Sequence, residues 1–491
     1  MTHTNALLNT FFSTVAAYVE FFIGLLISII LARQLGSENY GTYGYYMWLI
    51  TLLIFVVNGG VSLTAIKLIA ESRVVDDAPD LLSIYRYLAI KQVKSLLIVC
   101  ALLWIAYLFF GQLNTDKNII YYLFISFIFR TLYMFNVAIL KGCDDFKGIA
   151  LIITPTSFIN ISLVMLLTFY GKTNLNNFIM VYCVSSTIYF ILSCYFLYFK
   201  LINRKISSLN DSFKAKISEQ VRKSNWTSIF TFIVMRQSEI FFLNLYSTKS
   251  NVAYFNIAFT LAFAVSTLVP GVYSNILLPL IARENKNSNT HAKTKLKQSM
   301  RYMGYLNTLL LFPILYFSDE IVFILYGKDF ESVALPFQFV VLCTCLNKMV
   351  DCVNAYLLSN NKQSLQLNIT IASSLVTIIL DNFLIKYYGL SGALLAFSLS
   401  TLFTAFVYLC YLLYSLKLSL DWRMYFRTFF AGALAFSLIY PFNKLNHDLL
   451  SLFVLSFSYV LFYLILLFFM KALTKQEING LKSNIRAFLK T

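Results

Sequence analysis

Residues 225–285 read NWTSIFTFIVMRQSEIFFLNLYSTKSNVAYFNIAFTLAFAVSTLVPGVYSNILLPLIAREN. Two apolar runs flank a short polar turn, and each exceeds the roughly 20 residues that a helix needs to cross a hydrocarbon core of about 30 Å. The stretch therefore reads as a helical membrane hairpin. Arg236 and Glu239 lie well inside the first run, where a charge costs about 2.5–3.5 kcal/mol on insertion scales and faces a protein interior or a wet cavity. Pro270-Gly271 in the second run predicts a bend. Pro155 and Pro313 predict bends in the same way.

The rest of the chain repeats this pattern. It is 59% hydrophobic and 12% charged, with a mean hydropathy of +0.72. Soluble domains carry about 25% charged residues. Apolar runs recur at about 7–31, 43–69, 88–110, 119–140, 149–170, 178–199, 225–246, 252–280, 300–325, 334–358, 364–387, 390–416, 425–442 and 450–471. The expected fold is all-α: a polytopic membrane protein of about 14 transmembrane helices, in two six-helix lobes plus two C-terminal helices. Residues 1–200 form the first lobe, 201–224 a basic linker, 225–417 the second lobe, and 418–491 the last two helices and a tail.

Charge orients the chain. With the N-terminus inside, the inside loops and the tail hold 26 Lys and Arg. The outside loops hold seven: Arg33, Lys117, Lys172, Lys249, Lys328, Lys386 and Lys444. The positive-inside rule thus places both termini and the 200–224 loop in the cytoplasm. The same distribution argues against nucleic acid as a partner, despite a net charge of +17. The eight cysteines form no CxxC and read as small hydrophobes; the three histidines are far apart. No metal site or catalytic base is expected, and no cofactor.

The halves align weakly. A shift of 218 residues lays Arg130 on Lys348, Asn136 on Asn354 and Tyr170-Gly171 on Tyr388-Gly389, and a shift of 211 lays Tyr43 on Tyr254. This predicts a parallel internal repeat. Arg130, Lys348, Arg236 and Lys67 are candidate cavity cations; Lys67 also suits snorkelling, with Lys91 and Lys94. Glu239 and Asp351 stand three residues from Arg236 and Lys348, which predicts ion pairs on one helical face. Glu20 and Asp381 are the other intramembrane acids, suited to proton or cation coupling or to packing. Gly24, Gly59-Gly60 and Gly304 predict close helix approach.

Four stretches carry a family resemblance: ILARQLGSENYGTYGYYMWL (30–49), SEIFFLNLYSTKSNVAYFNIAFTLA (238–262), YGKDFESVALPFQ (326–338) and YYGLSGALLAFSLST (387–401). In order and spacing, to about residue 416, the chain resembles the polysaccharide transporter family of O-antigen and capsule-unit flippases. That family lies in the superfamily that includes multidrug extruders and the peptidoglycan lipid flippase. It often has Asp where this chain has Glu239. The resemblance implies a non-enzymatic transporter of the bacterial inner membrane. It would move an undecaprenyl-pyrophosphate-linked oligosaccharide from the cytoplasmic to the periplasmic leaflet by alternating access, and Glu20 and Asp381 would suit H+ or Na+ coupling. Polysaccharide polymerase and chain-length proteins are the implied partners in lipopolysaccharide or capsule assembly. Arg130 and Lys348 are then expected to hold the pyrophosphate together. A drug/cation antiporter and another lipid-linked precursor flippase are the alternatives, and a membrane polymerase or ligase fits less well with short outside loops.

Overall fold

The computed structural model describes residues 3–72, 80–110, 116–202, 209–235, 238–268, 289–360, 362–441 and 449–473. Among these there are fourteen α-helices and no strand. They are α1 (His3–Ser72), α2 (Leu81–Phe110), α3 (Lys117–Gly142), α4 (Phe146–Phe169), α5 (Leu175–Leu201), α6 (Asp211–Met235) and α7 (Glu239–Tyr246). They continue with α8 (Lys249–Leu268), α9 (Asn289–Tyr326), α10 (Ala334–Ser359), α11 (Gln363–Leu380), α12 (Lys386–Cys410), α13 (Trp422–Ile439) and α14 (Leu449–Phe469). Helices satisfy their own backbone groups, which lipid cannot do, and this is why an apolar chain adopts them.

Within the described residues the fourteen apolar runs fall on helix, though not one run to one helix. Leu8–Ser72 is a 65-residue apolar stretch, about 100 Å if straight and three times the hydrocarbon thickness. It does not run straight. Gly36 takes φ 70 and ψ 174 inside α1, and Ser28 and Tyr40 share a 2.7 Å hydrogen bond across it. Twelve residues of straight helix would hold those groups about 18 Å apart, so the chain turns back at Gly36. Gly389 does the same work between the last two runs of the repeat, with φ 55. Both positions need the left-handed region that glycine enters without a Cβ penalty.

The run at 225–246 departs from expectation. α6 ends at Met235 and the short α7 starts at Glu239, so this run is not one uninterrupted helix. Arg236, its predicted partner role with Glu239, and Pro270-Gly271 lie outside the described residues. The segment read as a linker is helical from Asp211 onward. Its polar start carries the pairs Lys214–Asp211 (2.8 Å) and Lys223–Glu219 (2.7 Å). Hydrogen bonds from those lysines hold both carboxyls below the ordinary carboxylate value, yet exposed pairs of this kind add little stability. α4 and α9 continue as helix through Pro155 and Pro313.

The chain packs as two units, Met1–Asn256 and Ile257–Thr491. In the first, α3 is the shared wall. Its Phe127 packs with Ile50, Ile54, Val57 and Leu96 of α1 and α2. Its Tyr133, Val137 and Leu140 pack with Ala16, Ile149, Ile153 and Tyr189 of α1, α4 and α5. Gly59 and Gly60 let α1 approach α6: a Cβ on them would stand 2.4 Å from Ser228 Cβ and from the Val221 carbonyl oxygen. Gly304 meets Tyr425 at 3.0 Å in the same sense. Gly24 does not follow its prediction, since no heavy atom lies within 4 Å of where its Cβ would be. Large apolar side chains such as Leu97, Ile98, Leu102 and Trp104 are exposed on the outer face of α2, as expected where the solvent is lipid.

In the second unit α9 serves two clusters. Leu296, Met300 and Met303 meet α10–α12, while Tyr305 and Phe312 meet α13 and α14. With no hydrophobic drive between helices in lipid, hydrogen bonds and packing fix α14 to α9. Tyr463 donates to the Tyr305 carbonyl (2.9 Å), Tyr459 to the Thr308 carbonyl (3.1 Å), and the Tyr305 hydroxyl to the Ala472 carbonyl (2.9 Å). Removing one such bond costs about 0.6–1 kcal/mol. Tyr463→Phe should therefore lower the unfolding midpoint in detergent by a few degrees with no change in helix content by circular dichroism. An unchanged midpoint would mean that packing alone seats α14.

Candidate functional site

A polar stripe runs along α3. Ser126, Arg130, Tyr133 and Asn136 follow spacings of four, three and three, which is one face of a helix. Ser126, Tyr133 and Asn136 are buried. The Ser126 hydroxyl donates to the Tyr122 carbonyl at 2.6 Å and so closes its polarity locally. Asn136 reaches α5 and donates to Ser193 Oγ at 3.0 Å. Arg130 is the charged member. Its guanidinium lies over the Tyr189 ring at 4.3 Å and the Tyr133 ring at 5.0 Å. The two rings are 4.8 Å apart, and Tyr189 shares a 3.0 Å hydrogen bond with Ser157 of α4. The first half of α1 supplies the counter-charge: Arg130 Nη2 stands 3.4 Å from Glu20 Oε1. Cation–π contacts are worth about 0.5–1 kcal/mol when exposed and about 2 or more when desolvated. Two rings and one carboxylate therefore offset much of what this charge costs at depth.

In the second unit, α10 carries a comparable polar spacing. Thr344, Lys348, Asp351 and Asn354 occupy the positions that a shift of 218 assigns to Ser126, Arg130, Tyr133 and Asn136. Lys348 Nζ stands 3.7 Å from Asp351 Oδ2, an i,i+3 pair with both side chains partly exposed. Tyr408 of α12 donates to Asn354 Oδ1 at 2.5 Å. A pocket of about 20 Å³ beside Lys348 is lined by Ser266, Asn307 and Thr344, space for a single water.

The other candidates are placed separately. Glu239 opens α7 and is 2% exposed. Asp381 is fully buried, where α11 passes into a π-helical turn, Asp381–Ile385. Lys67 is exposed and pairs with Glu71 one turn on, at 3.9 Å. All eight cysteines are free thiols. A larger cavity of about 290 Å³ lies between α1, α3 and α6, lined in part by Asn58, Ser62, Met134, Thr227 and Ser228. Ile54, Phe55, Leu63 and Thr231 also line it. Asn58 is already engaged by the Thr131 carbonyl and Ser62, and Thr227 by the Lys223 carbonyl. Sequence reading missed Glu20 as the partner of Arg130, and Tyr133 and Tyr189 as its platform. The four-residue stripe was available as a helical spacing in both halves.

The chain belongs to the polysaccharide biosynthesis protein family, whose model matches residues 6–285. No curated protein matches it. Among solved structures it is similar to the lipid II flippase MurJ in an inward closed conformation, with a TM-score of 0.72 at 18% identity, over 94% of this chain and 98% of that one. It is also similar to an inward-facing multidrug resistance transporter of the MATE family, with a TM-score of 0.62 at 14% identity, over 87% and 98%. A transporter from Pyrococcus furiosus described as having a binding pocket of reversed polarity gives 0.57 at 14%, over 87% and 94%. The fold is therefore the polytopic fold shared by the MOP-superfamily flippases and extruders.

Proposed function

We propose that this protein is a flippase. It carries an undecaprenyl-pyrophosphate-linked oligosaccharide, an O-antigen or capsule repeat unit, between leaflets of a bacterial inner membrane by alternating access. The observation that carries this reading is Arg130, a permanent cation held deep in apolar helices on two tyrosine rings. Such a group suits an anionic headgroup better than a cationic drug, because a planar guanidinium forks onto phosphate oxygens. Lys348 offers a second point charge in the repeated position. The family match supports a cargo from polysaccharide assembly. The lobes are proposed to be residues 1–200 and 225–417, with Glu239 and Asp381 as sites for H+ or Na+ coupling. Polymerase and chain-length proteins would receive the cargo.

The test is reconstitution. Proteoliposomes holding the purified protein and an undecaprenyl-pyrophosphate oligosaccharide should expose the internal pool to an external glycosidase within minutes, whereas empty liposomes should not. Equal rates with and without protein would overturn the reading, and export of a cationic dye instead would favour the antiporter. Topology is checked separately. A single cysteine at Ser208 or after Thr491, in a cysteine-free background, should resist impermeant maleimide in intact cells and react after lysis. Labelling in intact cells would invert the proposed orientation.

A further inference from the structure

The two cations are neutralised in different ways. Lys348 and Asp351 belong to one helix, and their spacing is fixed whatever the neighbours do. Arg130 and Glu20 belong to α3 and α1, 110 residues apart, so their contact persists only while those helices hold their present relation. The contact itself is slight. It uses one nitrogen and one oxygen at 3.4 Å, beyond the usual range of a charge-assisted bond. Glu20 is 44% exposed at its side chain and Arg130 19%, so both can be reached from outside the packed core.

What fixes the guanidinium is a different set of atoms. Tyr133 comes from α3 itself and Tyr189 from α5, and Tyr189 is tied through its hydroxyl to Ser157 of α4. None of these belongs to α1. The arginine thus keeps its place if the carboxylate leaves, and a guanidinium has five N–H donors to offer. A tetrahedral phosphate can take two of them in a fork, where Glu20 takes one at long range.

We propose that Arg130 is an anion-exchange site. Glu20 is its resident ligand, a phosphate-type oxyanion displaces that carboxylate, and Tyr133 and Tyr189 are positioning residues that hold the guanidinium through the swap. The proposal rests on the reading of the cargo as a pyrophosphate-linked lipid and adds the competitor built into the chain. It gives Glu20 two opposed effects. In the empty protein it neutralises a charge that would otherwise stand alone in a low-dielectric setting. In the loaded protein it is the group that the ligand must push aside.

The opposed effects separate the proposal from a purely structural ion pair. Purified protein in nanodiscs is titrated with inorganic pyrophosphate and with farnesyl pyrophosphate, in zwitterionic lipid and with phosphatidylglycerol added. Binding is read by calorimetry and the unliganded unfolding midpoint by fluorescence. Glu20→Gln should lower the midpoint yet bind the probes about tenfold more tightly, a change of about 1.4 kcal/mol. Arg130→Gln should abolish binding. Tyr189→Phe keeps the ring but loses the tie to Ser157 and should weaken binding less than Tyr189→Leu, which should lose it about fivefold at an unchanged probe stoichiometry. Added phosphatidylglycerol that weakens pyrophosphate binding to wild type and to Glu20→Gln would support exchange with a bilayer headgroup as a second source. If Glu20→Gln binds no tighter than wild type, or Arg130→Gln binds as well, the exchange is wrong. That failure is distinct from failure of the flippase reading: exchange can fall while proteoliposomes still flip their cargo, and probe binding can stand while they do not.

Discussion

Arg130→Gln should reduce surface polysaccharide by tenfold or more at unchanged membrane abundance, with the lipid-linked unit accumulating inside. The size follows from the chemistry of the contact. A hydrogen bond to a charged group is worth about 1.5–3 kcal/mol, and each 1.4 kcal/mol is a factor of ten in affinity. Glutamine is two bonds shorter but keeps the α3 stripe polar, so the fold should tolerate it. It leaves Glu20, whose side chain is 44% exposed, without its counter-charge. Any loss of abundance should be recovered in Glu20→Gln combined with Arg130→Gln, whereas transport should not. Arg130→Lys should be milder than Arg130→Gln, since it keeps charge and loses the fork and the flat stacking on Tyr189. Lys348→Gln should act in the same direction. Membrane immunoblots beside surface polysaccharide and lipid-linked intermediate separate the cases. Normal surface polysaccharide in Arg130→Gln and Lys348→Gln, at normal abundance, would remove both residues from the cargo site.

The structure and the sequence agree where the signal is local. Apolar runs of bilayer length gave the helices, because lipid leaves helix as the way to satisfy the backbone along a single span. The Lys348–Asp351 pair was legible because i,i+3 residues share a helical face. The turns at Gly36 and Gly389 were legible as gaps between runs. Their conformations were not, since the helical hydrogen-bond pattern resumes at once on either side. α6 ends at Met235 and α7 starts at Glu239; the polar residues Arg236-Gln237-Ser238-Glu239 between apolar flanks read as charges inside one span rather than as a boundary between two helices. The hardest part was the neighbourhood of Arg130. Its carboxylate lies on another helix and one of its two rings on a third, and no spacing along the chain encodes which acid among Glu20, Glu239 and Asp381 faces it. The shift of 218 residues found the repeated cation but could not show that the two halves neutralise it differently.

Gly41→Ala should lower stability by about 3 kcal/mol or more, the scale of a severe packing fault, and with it the yield of folded protein. A Cβ at Gly41 would stand 1.8 Å from the carbonyl oxygen of Lys249 and 3.2 Å from the amide nitrogen of Ala253. Both are backbone atoms at the start of α8, so no side-chain rotation relieves the clash. The second half of α1 and the start of α8 must part instead. That would break the hydrogen bond from Ser37 Oγ to Ser250 Oγ at 3.1 Å and draw Lys249 from the Tyr45 ring, 5.5 Å away. Ser37, Gly41 and Gly44 recur at four and three residues and present one small-residue face, the means by which membrane helices approach closely. Gly44 provides the control. Its Cβ would meet the Asn256 amide nitrogen at 2.6 Å, but a side-chain amide can swing away, so Gly44→Ala should cost about 1 kcal/mol. Thermal unfolding in detergent should thus rank wild type above Gly44→Ala, and Gly44→Ala well above Gly41→Ala. Equal midpoints for the two variants would mean that α1 and α8 do not keep this contact in the membrane. A Gly41→Ala protein that folds at wild-type yield but no longer transports would mean that the contact is made and broken during the cycle, closing only when no side chain stands between the helices.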